Sequence, residues 1–320
     1  MKKWLLAALT LMMVAFLAAC GSTEETTESD TANAGAEETE EMTVTHELGE
    51  TTFNKNPEKV VVFDFGVLDS MDQLEIDAVA GVPQENVPAY LEEEYGNAEK
   101  YENVGTLKEA DFEAIHAMEP DLIIISGRQA EMYEEFSDIA PTIHMAVDTD
   151  NYMESFEGNM TTLGEIFGKE DQVVEELAAI DSQIEEVKAT VSESDEKALI
   201  TLANEGKVSA YGAASRFGII HDVFGVQQAD EGIEASTHGQ SISFEYILET
   251  NPDMMFVVDR NAAVGNEASA ADSLENELVQ KTTAYKNDKI IYLDPDFWYL
   301  SGGGLQSVAQ MVTDVQSAFE

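Results

Sequence analysis

The chain has 320 residues, of which 44% are hydrophobic, so it is long enough for two domains and can bury a substantial core. Lysine and arginine total 16 against 64 aspartates and glutamates, and the formal net charge of −48 excludes nucleic-acid binding or adsorption to anionic lipid through a basic surface. We interpret the acidity as adaptation to high salt or high pH outside the cell, because unscreened self-repulsion destabilises a compact fold. The alternative is an acidity of the lineage that is unrelated to function.

The first 45 residues are predicted to target and tether the protein. Residues 1–19 form a signal peptide with a short basic start and an apolar run too short to span a membrane. The sequence Leu17-Ala18-Ala19-Cys20-Gly21 resembles a bacterial lipoprotein cleavage box, so we expect Cys20, the single cysteine, to carry lipid such as palmitate. An ordinary secretory peptide is the alternative. Residues 20–45 are rich in Thr, Glu, Ser and Ala and are predicted to form a disordered tether.

Residues 46–168 are predicted to form an N-terminal α/β lobe. In chain order the pattern predicts a strand pair at 46–53, a strand at 59–64, a helix beginning at 69–74, a strand at 78–82, a helix at 90–95, an irregular loop at 100–107, a helix at 111–118, a strand at 122–125, a helix at 130–136, a strand at 141–145 and a helix at 151–167. Asp69 or Ser70 is the predicted N-cap of the first helix. The alternation of strands and helices is typical of a doubly wound α/β fold.

Residues 169–193 are predicted to contain one long helix, because apolar residues follow helical spacing from 170 to 191 without glycine or proline. It is either a rigid strut between two lobes or one more covering helix. Residues 194–320 are predicted to form a C-terminal α/β lobe, with strands at 198–202, 208–211, 254–258 and 289–293 and helices at 217–223, 243–249, 273–279 and 304–319. The predicted fold is therefore two doubly wound α/β lobes joined by a single long helix, with a cleft between them.

A repeated unit links the two lobes. Pro120-Asp121 and Pro252-Asp253 each precede an apolar run, and each run is followed by an arginine, Arg128 or Arg260. Open α/β sheets place ligands at the carboxyl ends of their strands, where these arginines fall. The sequence contains one further arginine, Arg216. This placement indicates an anionic ligand, and structural salt bridges to nearby carboxylates are the alternative.

Several runs of sequence, in this order, resemble the siderophore-binding lipoproteins of bacterial ABC importers, and more narrowly the group that binds petrobactin and other ferric catecholates. The resemblance extends over nearly everything from residue 50 to the C-terminus. The runs that carry it are Lys59-Val60-Val61-Val62-Phe63-Asp64-Phe65-Gly66, Tyr101-Glu102-Asn103-Val104-Gly105, residues 121–129, Ala203-Asn204-Glu205-Gly206, residues 215–225, residues 235–240 and Trp298-Tyr299-Leu300-Ser301-Gly302-Gly303-Gly304.

The resemblance implies a class III substrate-binding protein with a shallow cleft for one ferric siderophore. It implies that Arg128, Arg216 and Arg260, with Lys108, face the anionic chelate. It also implies that His238 and Tyr299 complete the coordination of iron when the siderophore is tetradentate. Fe³⁺ would then be carried as the siderophore complex, with no intrinsic cofactor.

The resemblance further implies a monomeric receptor on the extracytoplasmic face of the membrane, in a Gram-positive cell envelope, serving an ABC permease and its ATPase. Acidic residues on each lobe would dock on the permease, and the candidates are Glu131, Glu134 and Glu135 on one side and Glu267 and Glu275 on the other.

The residues themselves leave alternatives open. Arginine suits phenolate oxygens and aromatic rings better than lysine does. His238 lies among small polar residues and could equally form hydrogen bonds within its loop, and Trp298 could be only a core residue. The other four histidines show no metal-ligand spacing and are interpreted as structural. A haem or corrinoid receptor on the same fold is one alternative function. An enzyme acting on an anionic substrate is disfavoured because the sequence has no nucleophile elbow, zinc motif or dinucleotide fingerprint, and a purely structural lipoprotein is disfavoured by the arginine placement.

Overall fold

The computed structural model describes residues 40–265, 269–274 and 276–320. The predicted signal peptide, Cys20 and nearly all of the tether lie outside the described residues, as do Glu267 and Glu275. Among the described helices, none combines the length and the hydropathy that crossing a membrane requires.

The first lobe contains a hairpin and a parallel sheet. Its elements are β1 (Glu41–His46), β2 (Gly49–Asn54), β3 (Val60–Val62), α1 (Phe65–Gln73), β4 (Val79–Val82), α2 (Ala89–Tyr95), β5 (Glu102–Asn103), α3 (Phe112–Met118), β6 (Leu122–Ile125), α4 (Tyr133–Ser137), β7 (Thr142–His144) and α5 (Tyr152–Phe167). The sheet order is β5-β4-β3-β6-β7, and all neighbouring pairs are parallel. β1 starts at Glu41, so the last residues of the predicted tether form a strand that pairs with β2.

The predicted N-cap of α1 is wrong. The helix begins at Phe65, and the carboxylate of Asp64 caps it by accepting a hydrogen bond from the Val67 amide. Asp69 and Ser70 lie within the helix and are fully buried. The apolar pattern runs without interruption from β3 into α1, so hydrophobicity alone could not locate the boundary.

The long helix, α6 (Glu170–Val191), has the predicted bounds. Val173, Ile180, Ile184 and Val187 form its buried stripe, while Val174, beside the stripe, is 66% exposed. α6 connects the two lobes in sequence and packs against α5 and the C-terminal helix. These contacts fit the interpretation as a covering helix, and the role of a rigid strut stays a prediction.

The second lobe is a mixed α/β lobe. Its elements are β8 (Lys197–Asn204), β9 (Lys207–Tyr211), α7 (Ile219–Asp222), β10 (Gln227–Gln228), β11 (Gln240–Ile242), α8 (Phe244–Thr250), β12 (Met254–Asp259), α9 (Arg260–Ala263), α10 (Ala270–Leu274), α11 (Thr283–Lys286), β13 (Ile290–Leu293) and α12 (Leu305–Ala318). The sheet order is β11-β9-β8-β12-β13, with β10 paired to β8. β8, β12 and β13 are parallel, whereas β9 and β11 are antiparallel to their neighbours.

The predicted helix at 273–279 does not form as one element. α10 ends at Leu274, and a short 3₁₀ turn follows at Val279–Lys281. The side-chain oxygen of Asn276 accepts hydrogen bonds from the amides of Leu278 and Val279, which starts a new turn in place of a continuing helix.

The aspartate of the Pro-Asp repeat accepts equivalent backbone hydrogen bonds in both lobes. Asp121 accepts hydrogen bonds from the amides of Glu58 and Lys59, at the start of β3. Asp253 accepts one from the amide of Lys197, the first residue of β8. In each lobe the aspartate therefore aligns the arginine-bearing strand, β6 or β12, with its central neighbour, and this alignment determines where each arginine emerges.

Candidate functional site

A cavity of about 1240 Å³ lies at the carboxyl ends of the strands and is lined by residues of both lobes. Its volume is above the usual range for small-molecule sites, about 300–1000 Å³, so it can hold a bulky ligand. The cationic residues that line it are Lys108, Arg128, Arg216 and Arg260, and His238 and Tyr299 also line it. The structure thus brings together all six residues that the sequence nominated for ligand and iron.

Each arginine is positioned by a different local feature. Arg128 follows β6 by three residues, as the repeat predicts. Arg260 directly follows β12 and is the first residue of α9, whose N-cap Asp259 accepts hydrogen bonds from the amides of Asn261 and Ala262. Arg216 lies in the segment after β9, with its guanidinium 5.6 Å from the centroid of the Phe217 ring.

The three arginines converge on Tyr299. Arg128 and Arg216 donate from Nη2 to the Tyr299 carbonyl oxygen at 3.0 and 2.6 Å. Arg260 donates from Nε to the phenol oxygen at 3.0 Å. The guanidinium of Arg216 also lies 4.1 Å from the centroid of the tyrosine ring, within cation–π distance.

Tyr299 can receive these donors because its backbone is not an ordinary helix. It lies in a π-helical turn, Asp296–Leu300, between β13 and α12. Turns of this kind are rare and are frequently found at functional sites. Its carbonyl oxygen therefore faces the guanidinium groups instead of a partner within a regular α-helix.

The concentration of positive charge changes the titration of the site. Burial, together with the neighbouring Arg128, lowers the pKa of Arg216, but guanidinium groups stay protonated in proteins. Burial alone would raise the pKa of Tyr299. The nearby arginines outweigh it, chiefly Arg216, and the net pKa is lowered. A phenol in these surroundings is a better anionic ligand than a free tyrosine.

Lys108 and His238 occupy the exposed part of the cavity. Lys108 is exposed on a loop whose Leu107 carbonyl accepts a hydrogen bond from the buried Gln129 side chain at 2.7 Å. His238 is exposed, and its backbone carbonyl accepts a hydrogen bond from Tyr211. Its imidazole forms no hydrogen bond with any described residue, so the alternative of a histidine bonded within its loop is not what the structure shows.

Three other residues at the site had no ligand-binding role predicted from the sequence. Asn204 accepts a hydrogen bond from Arg260 Nη1 at 2.9 Å and holds that guanidinium beside Tyr299. His46 and His144, interpreted as structural, also line the cavity. Burial lowers the pKa of both imidazoles, so they are neutral near pH 7. The described residues contain no cluster of three or more histidine, cysteine or acidic side chains arranged to hold a metal ion.

The acidic residues nominated for docking are only partly covered by the structure. Glu131 lies in a 3₁₀ turn at Ala130–Met132, and Glu134 and Glu135 lie in α4. All three are exposed, and none lines the cavity. Their counterparts on the other lobe, Glu267 and Glu275, are outside the described residues.

Comparison with known proteins gives consistent matches. Residues 60–297 match the model of the family described as periplasmic binding protein. The petrobactin-binding protein YclQ of Bacillus subtilis (strain 168) is 49% identical over 323 residues, covering 100% of both chains. Its crystal structure superposes with a TM-score of 0.85 and 52% identity, covering 88% of this chain and 99% of that one.

Two further solved structures are similar. The iron uptake ABC transporter substrate-binding protein PiuA of Streptococcus pneumoniae has a TM-score of 0.82 and 43% identity, over 88% of this chain and 99% of that one. The siderophore-binding protein BauB, bound to a complex between two molecules of acinetobactin and ferric iron, has a TM-score of 0.79 and 34% identity over the same shares.

Proposed function

The chain belongs to the periplasmic binding protein family, and we propose that it is an extracytoplasmic receptor that binds an anionic ferric siderophore and delivers it to an ABC permease for iron uptake. The petrobactin or catecholate class is the proposed ligand class. The role is binding and delivery, not catalysis, in keeping with the substrate-binding proteins that the chain resembles.

The observation that carries the proposal is the convergence of three guanidinium groups from two lobes on one wall of a large cavity. Ferric iron chelated by three catecholates carries a threefold negative charge, which three permanent cations match. Guanidinium groups also donate to phenolate oxygens in a fixed planar geometry and stack on aromatic rings. The sheltered cleft strengthens these interactions relative to open water.

Iron is the cargo in this proposal. A hexadentate siderophore fills all six coordination positions of Fe³⁺ by itself and needs only the three arginines from the protein. A tetradentate siderophore leaves positions open, and the free imidazole of His238 and the acidified phenol of Tyr299 are ligands that Fe³⁺ accepts. Lys108 adds an exposed positive charge at the edge of the same cavity.

The remaining parts of the proposal rest on sequence. Lipid on Cys20 would anchor the receptor to the outer face of the membrane, and residues 20–40 would let the lobes reach a permease. Glu131 and Glu134, exposed on the first lobe, are the proposed contacts with that permease. We further propose that the receptor works as a monomer.

Titration of the purified protein with ferric petrobactin and with a tris-catecholate iron complex tests the proposal. We expect quenching of tryptophan and tyrosine fluorescence at micromolar or lower ligand, because Trp298 and Tyr299 line the cavity. A neutral ferric hydroxamate serves as the matched control and should bind weakly. Absence of binding to every anionic ferric chelate would refute the ligand class, and a Soret shift on adding haem would instead favour a haem receptor, with Tyr299 or His238 as the axial ligand.

A further inference from the structure

A buried chain of oxygen atoms runs from the first lobe to the turn that carries Tyr299. Asp69 Oδ2 lies 2.9 Å from the phenol oxygen of Tyr90, which lies 2.7 Å from Ser301 Oγ. Ser301 Oγ in turn lies 2.6 Å from the carbonyl oxygen of Asp296. Asp69 and Ser301 are buried, with exposures of 0% and 1%. These are three oxygen–oxygen contacts at hydrogen-bond distance, and each requires one hydrogen atom.

Counting hydrogens decides the protonation of Asp69. Tyr90 and Ser301 contribute one hydroxyl hydrogen each, which is one too few for three contacts. If Asp69 is ionised, one of the three contacts brings together two oxygen atoms with no hydrogen between them. If Asp69 is protonated, it donates to Tyr90, Tyr90 donates to Ser301, and Ser301 donates to the Asp296 carbonyl. Only the protonated state satisfies all three contacts.

The surroundings of Asp69 agree with this count. Among the described residues, the titratable groups that interact with Asp69 are Tyr90 on α2 and Tyr152 on α5, and no cation is among them. Asp296 interacts with Tyr90 and not with Asp69 itself. The facing residues of α12, Gln306 and Ser307, are uncharged and donate their backbone amides to the carboxyl group at 2.9 and 2.8 Å. Burial raises the pKa of Asp69 to about 7 in spite of these lowering hydrogen bonds.

We propose that Asp69 is a positioning residue of the ligand site, whose proton completes a donor chain that holds the Tyr299 turn in place. The inference rests on the proposed function, because it treats the Tyr299 turn as part of the siderophore site. Asp69 itself does not line the cavity. It acts through Tyr90 and Ser301, which reach the turn two residues after Tyr299.

The same turn is fixed to the first lobe at both ends, so a change at Asp69 reaches the site. At its start, the carboxylate of Asp296 accepts a hydrogen bond from the Ala89 amide at 2.8 Å, and the ring of Phe297 stacks on that of Tyr90 at 4.3 Å. At its end, Ser301 bonds to Tyr90, and the amides that begin α12 bond to Asp69. Ionisation of Asp69 removes one hydrogen bond from this connection and loosens the turn that the three arginines contact.

Three variants separate the proposal from a general loss of stability. Asp69→Asn supplies an N–H to Tyr90 at every pH, although it loses one acceptor for the α12 amides. Tyr90→Phe interrupts the chain while leaving Asp69 in place. Tyr246→Phe is the matched control, because Tyr246 also donates to an aspartate, Asp230, at 2.6 Å but does not line the cavity.

Infrared difference spectra of the ligand-free protein test the proton directly. At pH 6 the wild type minus Asp69→Asn spectrum should show the carbonyl stretch of a protonated carboxylic acid, and this stretch should disappear above about pH 7. A spectrum without this band would overturn the proposal. Because this measurement needs no ligand, it gives an answer even if the proposed function fails.

Affinity for ferric petrobactin tests the positioning role. The ratio of wild-type to Asp69→Asn dissociation constants should rise about fivefold as the pH increases through 7, the effect of one neutral hydrogen bond. Taking the ratio cancels the titration of the ligand itself. Tyr90→Phe should weaken binding by a similar factor at every pH, and Tyr246→Phe should leave it unchanged. A ratio that does not vary with pH would contradict the proposal, and a wild type that binds no ferric chelate would contradict the function alone.

Discussion

Arg216 donates to the Tyr299 carbonyl oxygen at 2.6 Å while its guanidinium lies 4.1 Å from the centroid of the same tyrosine ring. Tyr299 thus contacts the guanidinium group of Arg216 in two ways, with its backbone carbonyl oxygen and with its ring. An anionic ligand that enters the cavity competes with that carbonyl oxygen for the same donors. We therefore regard Tyr299 as the group that keeps the arginines oriented before the ligand binds.

Substitution of Tyr299 and His238 should affect ferric ligands according to denticity. For a tetradentate catecholate, Tyr299→Phe or His238→Ala should weaken binding on the order of tenfold or more, because iron loses a protein ligand. A hexadentate complex should be affected only slightly. Titration of each variant with both complexes measures the difference in affinity. Tyr299→Phe should also lose the phenolate-to-iron absorption band. Tyr285→Phe and His116→Ala, which lie outside the cavity lining, are the controls, and equal effects on both complexes would argue against iron coordination.

Added salt should accelerate association of an anionic ferric chelate. The formal net charge of −48 repels the ligand at long range, whereas the arginines attract it only at short range. Screening shortens the repulsive field to about 10 Å at 0.1 M salt and leaves the sheltered contacts largely intact. Stopped-flow quenching at increasing NaCl should therefore show a rising association rate constant. An association rate that falls with salt would mean that the cavity, and not the acidic surface, dominates the long-range field.

Removal of the strand-aligning aspartates should destabilise each lobe separately. Asp121→Ala leaves two amides at the start of β3 without their acceptor, and Asp253→Ala leaves one at the start of β8. We expect losses of about 1–2 kcal/mol in the free energy of unfolding for each substitution. Because the residues are in different lobes, the losses should add in the double variant, as measured by urea denaturation. Strong non-additivity would show that the lobes do not respond independently.

The free energy of unfolding should depend on the protonation of Asp69. Its pKa is about 7 in the folded protein against an ordinary value of 3.8. Because the pKa is higher in the folded protein than in the unfolded chain, the stabilisation by protonated Asp69 is fully present below about pH 4. It is lost progressively as the pH rises to about 7, and the total loss in the free energy of unfolding is on the order of 4 kcal/mol. Urea denaturation across this range should show the loss in wild type. Asp69→Asn should lack this component, and an equal slope in both proteins would exclude Asp69 as its source.

Much of the scaffold could be predicted from the sequence because its signals are local and repeated. The long helix, the parallel strands of the first lobe and the ends of β6 and β12 follow directly from apolar runs and from the Pro-Asp repeat. The N-cap of α1 could not be found in this way, because apolar residues continue through the boundary at Asp64. The sequence also did not predict that two strands of the second lobe, β9 and β11, are antiparallel to their neighbours, because pairing between distant segments sets the direction of a strand.

The six residues proposed for ligand and iron line one cavity, but their arrangement could not be predicted from the sequence. Arg128 and Arg260 follow from the repeat, whereas Arg216, Lys108, His238 and Tyr299 depended on the family resemblance. The convergence of all three arginines on one tyrosine could not be foreseen, because it depends on a π-helical turn that has no sequence signature here. Asp69 was misread as a helix cap because the apolar pattern does not locate the start of α1, and two of its hydrogen-bond partners, Gln306 and Ser307, are more than 200 residues away in the sequence.

Binding of ferric petrobactin to the Arg128→Gln, Arg216→Gln, Arg260→Gln triple variant tests the central claim most directly. Glutamine keeps hydrogen-bonding groups and much of the side-chain length but removes the three charges. We predict that fluorescence quenching by the ligand is abolished at concentrations that saturate the wild type, while circular dichroism and thermal unfolding show an intact fold. The Lys281→Gln, Lys286→Gln, Lys289→Gln variant removes equal charge away from the cavity and should bind normally. Unchanged affinity in the arginine variant would contradict the account.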